Sequence, residues 1–203
     1  REALEYIQVE PRLLRPANYP AGVPGRGHYV THTVRGEAVG VINVMGRGFM
    51  NPLDNPFAVV RQEIAAVRKE SDARIVVVDF HAEATSEKLA MGWHLDGEVT
   101  AVIGTHTHVQ TADERVLPKG TAYLTDVGMT GPHDSIIGVE TRLALSRFLD
   151  GLPTRFDTAK TNLRINAVIV TADAETGNAR AIERISLSAH EVDTLATNPV
   201  PIS

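Results

Sequence analysis

The chain has 203 residues, a formal charge of −5 with Lys and Arg scattered along it, and no cysteine. That length fits one ordinary domain with a sizeable core, and the charge leaves no basic stripe for general nucleic-acid binding. The absence of Cys excludes a disulfide framework and any cysteine-based zinc cluster. With no apolar run long enough to span a bilayer and no signal-peptide pattern, the expectation is a cytoplasmic protein.

Residues 1–7 read as the end of a short helix, stopped by Pro11, and the Pro- and Gly-rich stretch from Pro16 to Gly27 as irregular surface chain. His28 to Val34 and Glu37 to Val44 are β-rich runs separated by Arg35-Gly36, a hairpin signal. Asn55 caps and Pro56 opens a helix to about Glu70, with Phe57, Val60, Ile64 and Val67 on one face. A strand over Ile75 to Val78 follows, then a helix capped by Ser86 and running to about Trp93. Val99 to Ile103 and Thr121 to Thr125 are further strands, and a helix spans about Val139 to Leu149, ending at Gly151. Asn162 to Thr171 and Ala179 to Leu187 flank Glu175-Thr176-Gly177-Asn178, a strong hairpin signal. The tail from about residue 190 to 203 is expected to fray. Strand–helix–strand crossovers mixed with two hairpins suit a layered α/β sandwich better than a doubly wound sheet. No linker or repeat divides the chain, so residues 1–203 are read as one domain or part of one.

The chemistry gathers between Asp79 and Pro132. His81 follows the apolar run Ile75 to Val78, and His106 and His108 follow Val99 to Ile103. Such runs read as parallel strands buried on both faces, and ligands of open α/β sheets bind beyond the carboxyl ends of the strands. An extended backbone would point His106 and His108 the same way. Neutral imidazole is the commonest metal ligand among side chains, so these three histidines read as a metal site. A histidine-rich site without Cys is more often catalytic than structural, and nitrogen and oxygen donors suit Zn, Fe or Mn. The residues by themselves support a metal-dependent hydrolase and nothing finer. Glu83 and Glu87 read as capping or solvated carboxylates near a helix start. Asp126 lies at another strand end, and His133 is the remaining histidine with the strongest claim to a role. Arg47 and Lys119 are exposed bases with little claim on a substrate.

Phe80-His81-Ala82-Glu83-Ala84-Thr85-Ser86-Glu87-Lys88, Gly104-Thr105-His106-Thr107-His108-Val109-Gln110-Thr111-Ala112-Asp113 and Leu117-Pro118-Lys119-Gly120-Thr121-Ala122-Tyr123 resemble the YmdB family of bacterial calcineurin-like metallophosphoesterases. The resemblance runs from about Arg12 to Ile185. It implies the metallophosphoesterase sandwich, two β-sheets flanked by helices. It also implies a phosphodiesterase with 2′,3′-cyclic nucleotides as its substrate class, working at a two-metal centre, often of iron or manganese. Carried over by position, His81 and His106 would bind one metal and His108 the other. The nucleotide would be held by metal and by the loop Thr105 to Thr107, not by a broad basic surface.

The family's other ligand motifs are an Asp after its first strand, a Glu-Asn pair after the second and an Asn-His pair after the third. None is present here, and that last His is the family's proposed proton donor. The resemblance is therefore to a member without its N-terminal portion, and this chain alone is expected to bind metal poorly and hydrolyse little. Two functions stand side by side: a phosphodiesterase, and a non-catalytic regulatory or interaction protein with a residual metal half-site. Self-association is left open.

Overall fold

The computed structural model describes residues 2–197. After the short helix α1 (Glu2–Tyr6), strands β1 (His28–His32) and β2 (Ala38–Met45) form the expected hairpin, antiparallel with Val30 opposite Gly40. Helix α2 (Pro56–Ser71) starts where its cap chemistry dictates. The Asn55 side chain accepts a hydrogen bond from the Phe57 amide, Pro56 opens the first turn, and Asp72 closes the helix in the left-handed conformation. Its buried face is Val60, Ile64 and Val67, three of the four residues the helical spacing selects, with Phe57 packed at the edge of the same cluster. Val67 approaches the sheet closely because Gly40 presents no side chain; a Cβ there would lie 2.4 Å from the valine Cγ1.

Strand β3 (Ile75–His81), helix α3 (Thr85–His94) and strand β4 (Ala101–Thr105) make one crossover unit, followed by β5 (Arg115–Val116), β6 (Ala122–Leu124) and β7 (Gly131–Pro132). Helix α4 (Thr141–Asp150), the long hairpin β8 (Leu163–Ala172) and β9 (Ala179–Ser188), and helix α5 (Ala189–Thr197) complete the order. The first sheet runs β1-β2-β3-β4-β6-β5, and β2, β3, β4 and β6 are mutually parallel. The second sheet is β7-β8-β9, antiparallel throughout.

Alternation along β3 sorts its side chains between two layers. Val76, Val78 and Phe80 join Val60, Val67, Met91 and Leu95 in the core beneath α2 and α3. Val77 turns the other way and packs with Ile103, Ala101 and Ala122 against Val170, Ala179 and Ile182 of the second sheet. The result is helices, mixed sheet, antiparallel sheet: the two-sheet sandwich with flanking helices that the resemblance implies. Among the described residues no helix is long and apolar enough to cross a membrane.

Two local readings change. Helix α3 begins one residue before Ser86, with Ala84 at the cap position and no side-chain capping bond, so Ser86 is not its cap. The tail from residue 189 does not fray at once. Residues 189–197 form α5, where Ser188 and Glu191 exchange hydrogen bonds in a capping box, the Glu191 carboxylate accepting from the Ser188 amide at 2.7 Å. The rest of the predicted tail, 198–203, lies outside the described residues.

Candidate metal centre

Because β2, β3, β4 and β6 are parallel and in register, their carboxyl ends share one edge of the sheet. Met45 lies opposite His81, and His81 opposite Thr105. His81 is the last residue of β3 and His106 the first beyond β4. The two rings meet edge to face with centroids 4.7 Å apart, and His106 Nδ1 lies 3.0 Å from His81 Nε2.

A chain of hydrogen bonds sets which nitrogen of His81 is free. Asn43 donates to Asp79 Oδ2 at 2.8 Å, and the Thr105 hydroxyl donates to Asp79 Oδ1 at 2.9 Å. With its single proton spent on the carboxylate, the Thr105 hydroxyl can only accept from His81 Nδ1, 3.2 Å away. His81 Nε2 is then the unprotonated nitrogen, and it is the atom facing His106. Burial, with His106 beside it, also holds the His81 imidazole below its ordinary pKa and so in the neutral form near pH 7. The Thr105 hydroxyl is thereby a positioning group for His81.

His106 is held from its far side. Its Nε2 lies 2.8 Å from Glu83 Oε2, with both side chains partly exposed. Glu83 therefore does not cap α3 as its sequence position suggests; it turns to the histidine. Glu87 does keep a structural role, accepting from the amides of Arg47 and Gly48 and pinning that loop.

The turn carrying His106 and His108 is not extended, which corrects the expectation that both rings point the same way. His106 has φ 111° and His108 φ 66°, conformations uncommon outside glycine and costing roughly 1–3 kcal/mol each. What over-determines the turn is Asp126, just past β6. It accepts from the Thr107 amide at 2.9 Å and the Gly128 amide at 2.9 Å, and pairs with Lys88 Nζ at 2.7 Å. Lys88 and Asp126 are each only 1 % exposed. Burial alone would raise the Asp126 pKa, but the Lys88, Thr107 and Gly128 hydrogen bonds outweigh it and hold the carboxyl low. Thr107 thus enters through its backbone amide. Gly104 makes room beneath, since a Cβ there would sit 1.7 Å from the Thr125 carbonyl oxygen and 3.1 Å from Lys88 Cδ.

His108 is directed elsewhere. Its Nδ1 donates to the Ile137 carbonyl at 3.1 Å, and its ring lines a cavity of about 290 Å³ with Met129, His133, Asn166 and Ser186. His133 Nδ1 donates to the Gly131 carbonyl and its Nε2 accepts from Asn166, so this histidine flanks the cavity and not the His81–His106 pair. Among the described residues, no three His, Asp or Glu side chains are grouped to hold one metal ion.

The pair itself fits a metal edge. Two ligands at right angles on a metal with bonds of about 2.1 Å stand about 3.0 Å apart, which is the separation of His81 Nε2 and His106 Nδ1. In the structure His106 Nδ1 donates to the unprotonated His81 Nε2; shifting the His106 proton to Nε2, beside Glu83, would free both lone pairs to converge on a cation lying off the line between the two nitrogens. Two imidazoles are a half-site; the three protein ligands usual for a catalytic metal are not assembled by this pair alone.

Known proteins match this chain along most of its length. The YmdB-like protein family matches residues 1–185. The 2′,3′-cyclic-nucleotide 2′-phosphodiesterase of Bacillus subtilis is 48 % identical over 189 residues, covering 93 % of this chain and 70 % of that protein. A crystal structure of a hypothetical protein from Thermus thermophilus superposes with a TM-score of 0.84 at 44 % identity, covering 92 % of this chain and 71 % of the other. That of a novel phosphatase from Mycoplasma pneumoniae gives 0.83 at 32 % identity, covering 95 % and 70 %.

Proposed function

The chain belongs to the YmdB-like family, and from that footing we propose that it is a metal-dependent phosphodiesterase acting on 2′,3′-cyclic nucleotides, as the Bacillus subtilis relative is named. The observation that carries the reading is the meeting of His81 Nε2 and His106 Nδ1, 3.0 Å apart beyond the carboxyl ends of two parallel strands. In this proposal His81 and His106 hold one metal and His108, through its Nε2, contributes to a second. Iron or manganese is favoured and zinc is admitted by imidazole donors. When bound, such a pair of ions neutralises phosphate charge and lowers the pKa of water, making hydroxide available near neutral pH.

The chain's own residues orient and support. The Asn43–Asp79–Thr105 relay keeps the His81 proton on Nδ1. Asp126 fixes the turn that carries His106 and His108. The cavity beside His108 offers the substrate a lining of mixed character, Met129 and Ile137 together with His133 and Ser186. A ligand role for His108 excludes it as a general base, because a nitrogen bonded to metal cannot also accept a proton.

Incubation of the purified protein with 2′,3′-cyclic AMP and Mn²⁺ tests this, with 3′-AMP as the product followed and chelator as control. The two-imidazole half-site predicts a slow, chelator-sensitive release of 3′-AMP. Metal retained without any product would favour the second reading, a non-catalytic protein with a metal half-site, which the same pair accommodates. Neither retention nor product would remove both.

A further inference from the structure

Glu83 sits in the short turn between His81, the end of β3, and Thr85, the start of α3. It holds no helix cap, because the cap position is Ala84 with no side-chain bond. Its carboxylate instead reaches His106 Nε2 at 2.8 Å, on the side of the ring opposite His81. Glu83 is 48 % and His106 33 % exposed at the side chain, so as a plain surface ion pair the contact would add little stability. Its geometry serves another purpose. A histidine that binds metal through one nitrogen characteristically donates its other N–H to a carboxylate or carbonyl, which fixes tautomer and ring direction and raises ligand basicity.

We propose that Glu83 is the positioning residue of His106: its carboxylate, 2.8 Å from Nε2, draws the His106 proton to that nitrogen when metal binds and so frees Nδ1 toward the space shared with His81 Nε2. The inference rests on the metal-site reading above and adds a residue to it. Two features set Glu83 apart from the other carboxylates nearby. Asp79 acts on His81 through the Thr105 hydroxyl, and Asp126 is committed to Lys88 and two amides. Only Glu83, among the described carboxylates, touches a ring nitrogen of the pair.

The test pairs a Zn²⁺ titration of the protein with nitrogen-15 spectra of the histidine rings, zinc being diamagnetic. The variants are Glu83→Ala, Glu83→Gln and His106→Ala, with unfolding curves measured in parallel. Glu83→Ala should weaken Zn²⁺ binding about 10–100-fold, leave the unfolding midpoint nearly unchanged, and abolish the Nε2–H preference of His106. Glu83→Gln, whose amide oxygen can accept the N–H, should restore that tautomer and part of the affinity. If His106→Ala weakens Zn²⁺ binding while Glu83→Ala leaves both affinity and tautomer as they were, the proposal for Glu83 is overturned and the metal-site reading stands. If His106→Ala leaves Zn²⁺ binding unchanged, the metal-site reading falls and takes the proposal with it.

Discussion

Removing the charge of Asp126 should be among the most damaging single changes in this protein. Asp126→Asn keeps the shape but leaves Lys88, 1 % exposed, with an ammonium whose one hydrogen-bond acceptor was that carboxylate. Breaking a buried ion pair from one side costs about 3–5 kcal/mol, since the other charge stays buried without a counter-ion. Set against a whole-domain stability of roughly 5–15 kcal/mol, that loss is severe. The partner change, Lys88→Met, should cost less. Asp126 would still accept the Thr107 and Gly128 amides at 2.9 Å each, and hydrogen bonds to a charged group are worth about 1.5–3 kcal/mol apiece. The double variant should be less damaged than the sum of the singles, because each charge is removed along with the group it burdens. Urea unfolding of the three variants, at pH 7 and in chelator, gives the cycle directly. A cost below about 1 kcal/mol for Asp126→Asn, or equal costs for the two singles, would refute the reasoning.

Three further outcomes follow from the same structure. Gly104→Ala places a Cβ 1.7 Å from the Thr125 carbonyl oxygen, a clash with backbone that side-chain motion cannot relieve; a loss of about 3 kcal/mol or more is expected, at or above the about 1–3 kcal/mol of ordinary overpacking, and a near-normal urea midpoint would contradict it. Burial pushes the Tyr123 phenol up to about 12, against about 10 when unfolded. Its contribution is therefore present below about pH 10 and lost as the pH rises from about 10 to about 12, a loss that Tyr123→Phe should remove from the alkaline stability profile. Thr105→Val cuts the relay from Asp79 to His81 and should lower Zn²⁺ affinity about 10-fold, with titration at fixed pH as the measurement; unchanged affinity would mean the relay does not orient His81.

Local signals carry much of the fold because the residues that decide it are local. Asn55-Pro56 starts α2, Arg35-Gly36 turns the first hairpin and Glu175 to Asn178 the last, each through its own backbone chemistry. The apolar runs before His81 and His106 place both histidines at strand ends, since strand direction and side-chain alternation are sequence-readable. The order of strands in the sheet is not readable, because pairing β4 with β6 past β5 joins segments whose sequences carry no mutual mark.

Most of what surrounds the histidines is also out of reach of the sequence. Lys88 looks like a solvated helix lysine, yet Met91 and Gly92, three and four residues on, share its buried face; that spacing is the one signal that could expose it. Its partner lies 38 positions away. The left-handed backbone of His106 and His108 follows from Asp126 gripping the Thr107 amide, a tertiary contact that overrides the extended reading of the turn. Glu83 misleads for a related reason: position near a helix start suggests capping, but only the folded sheet brings His106 within its reach.

The most direct test of the account is metal content and 2′,3′-cyclic AMP turnover measured together in His81→Ala, His106→Ala and His108→Ala, with iron, manganese and zinc quantified in each. If these imidazoles are ligands, retained metal and turnover fall together in each of the three variants while urea midpoints change little. A variant such as His108→Ala that kept its full metal and lost only turnover would contradict the ligand assignment.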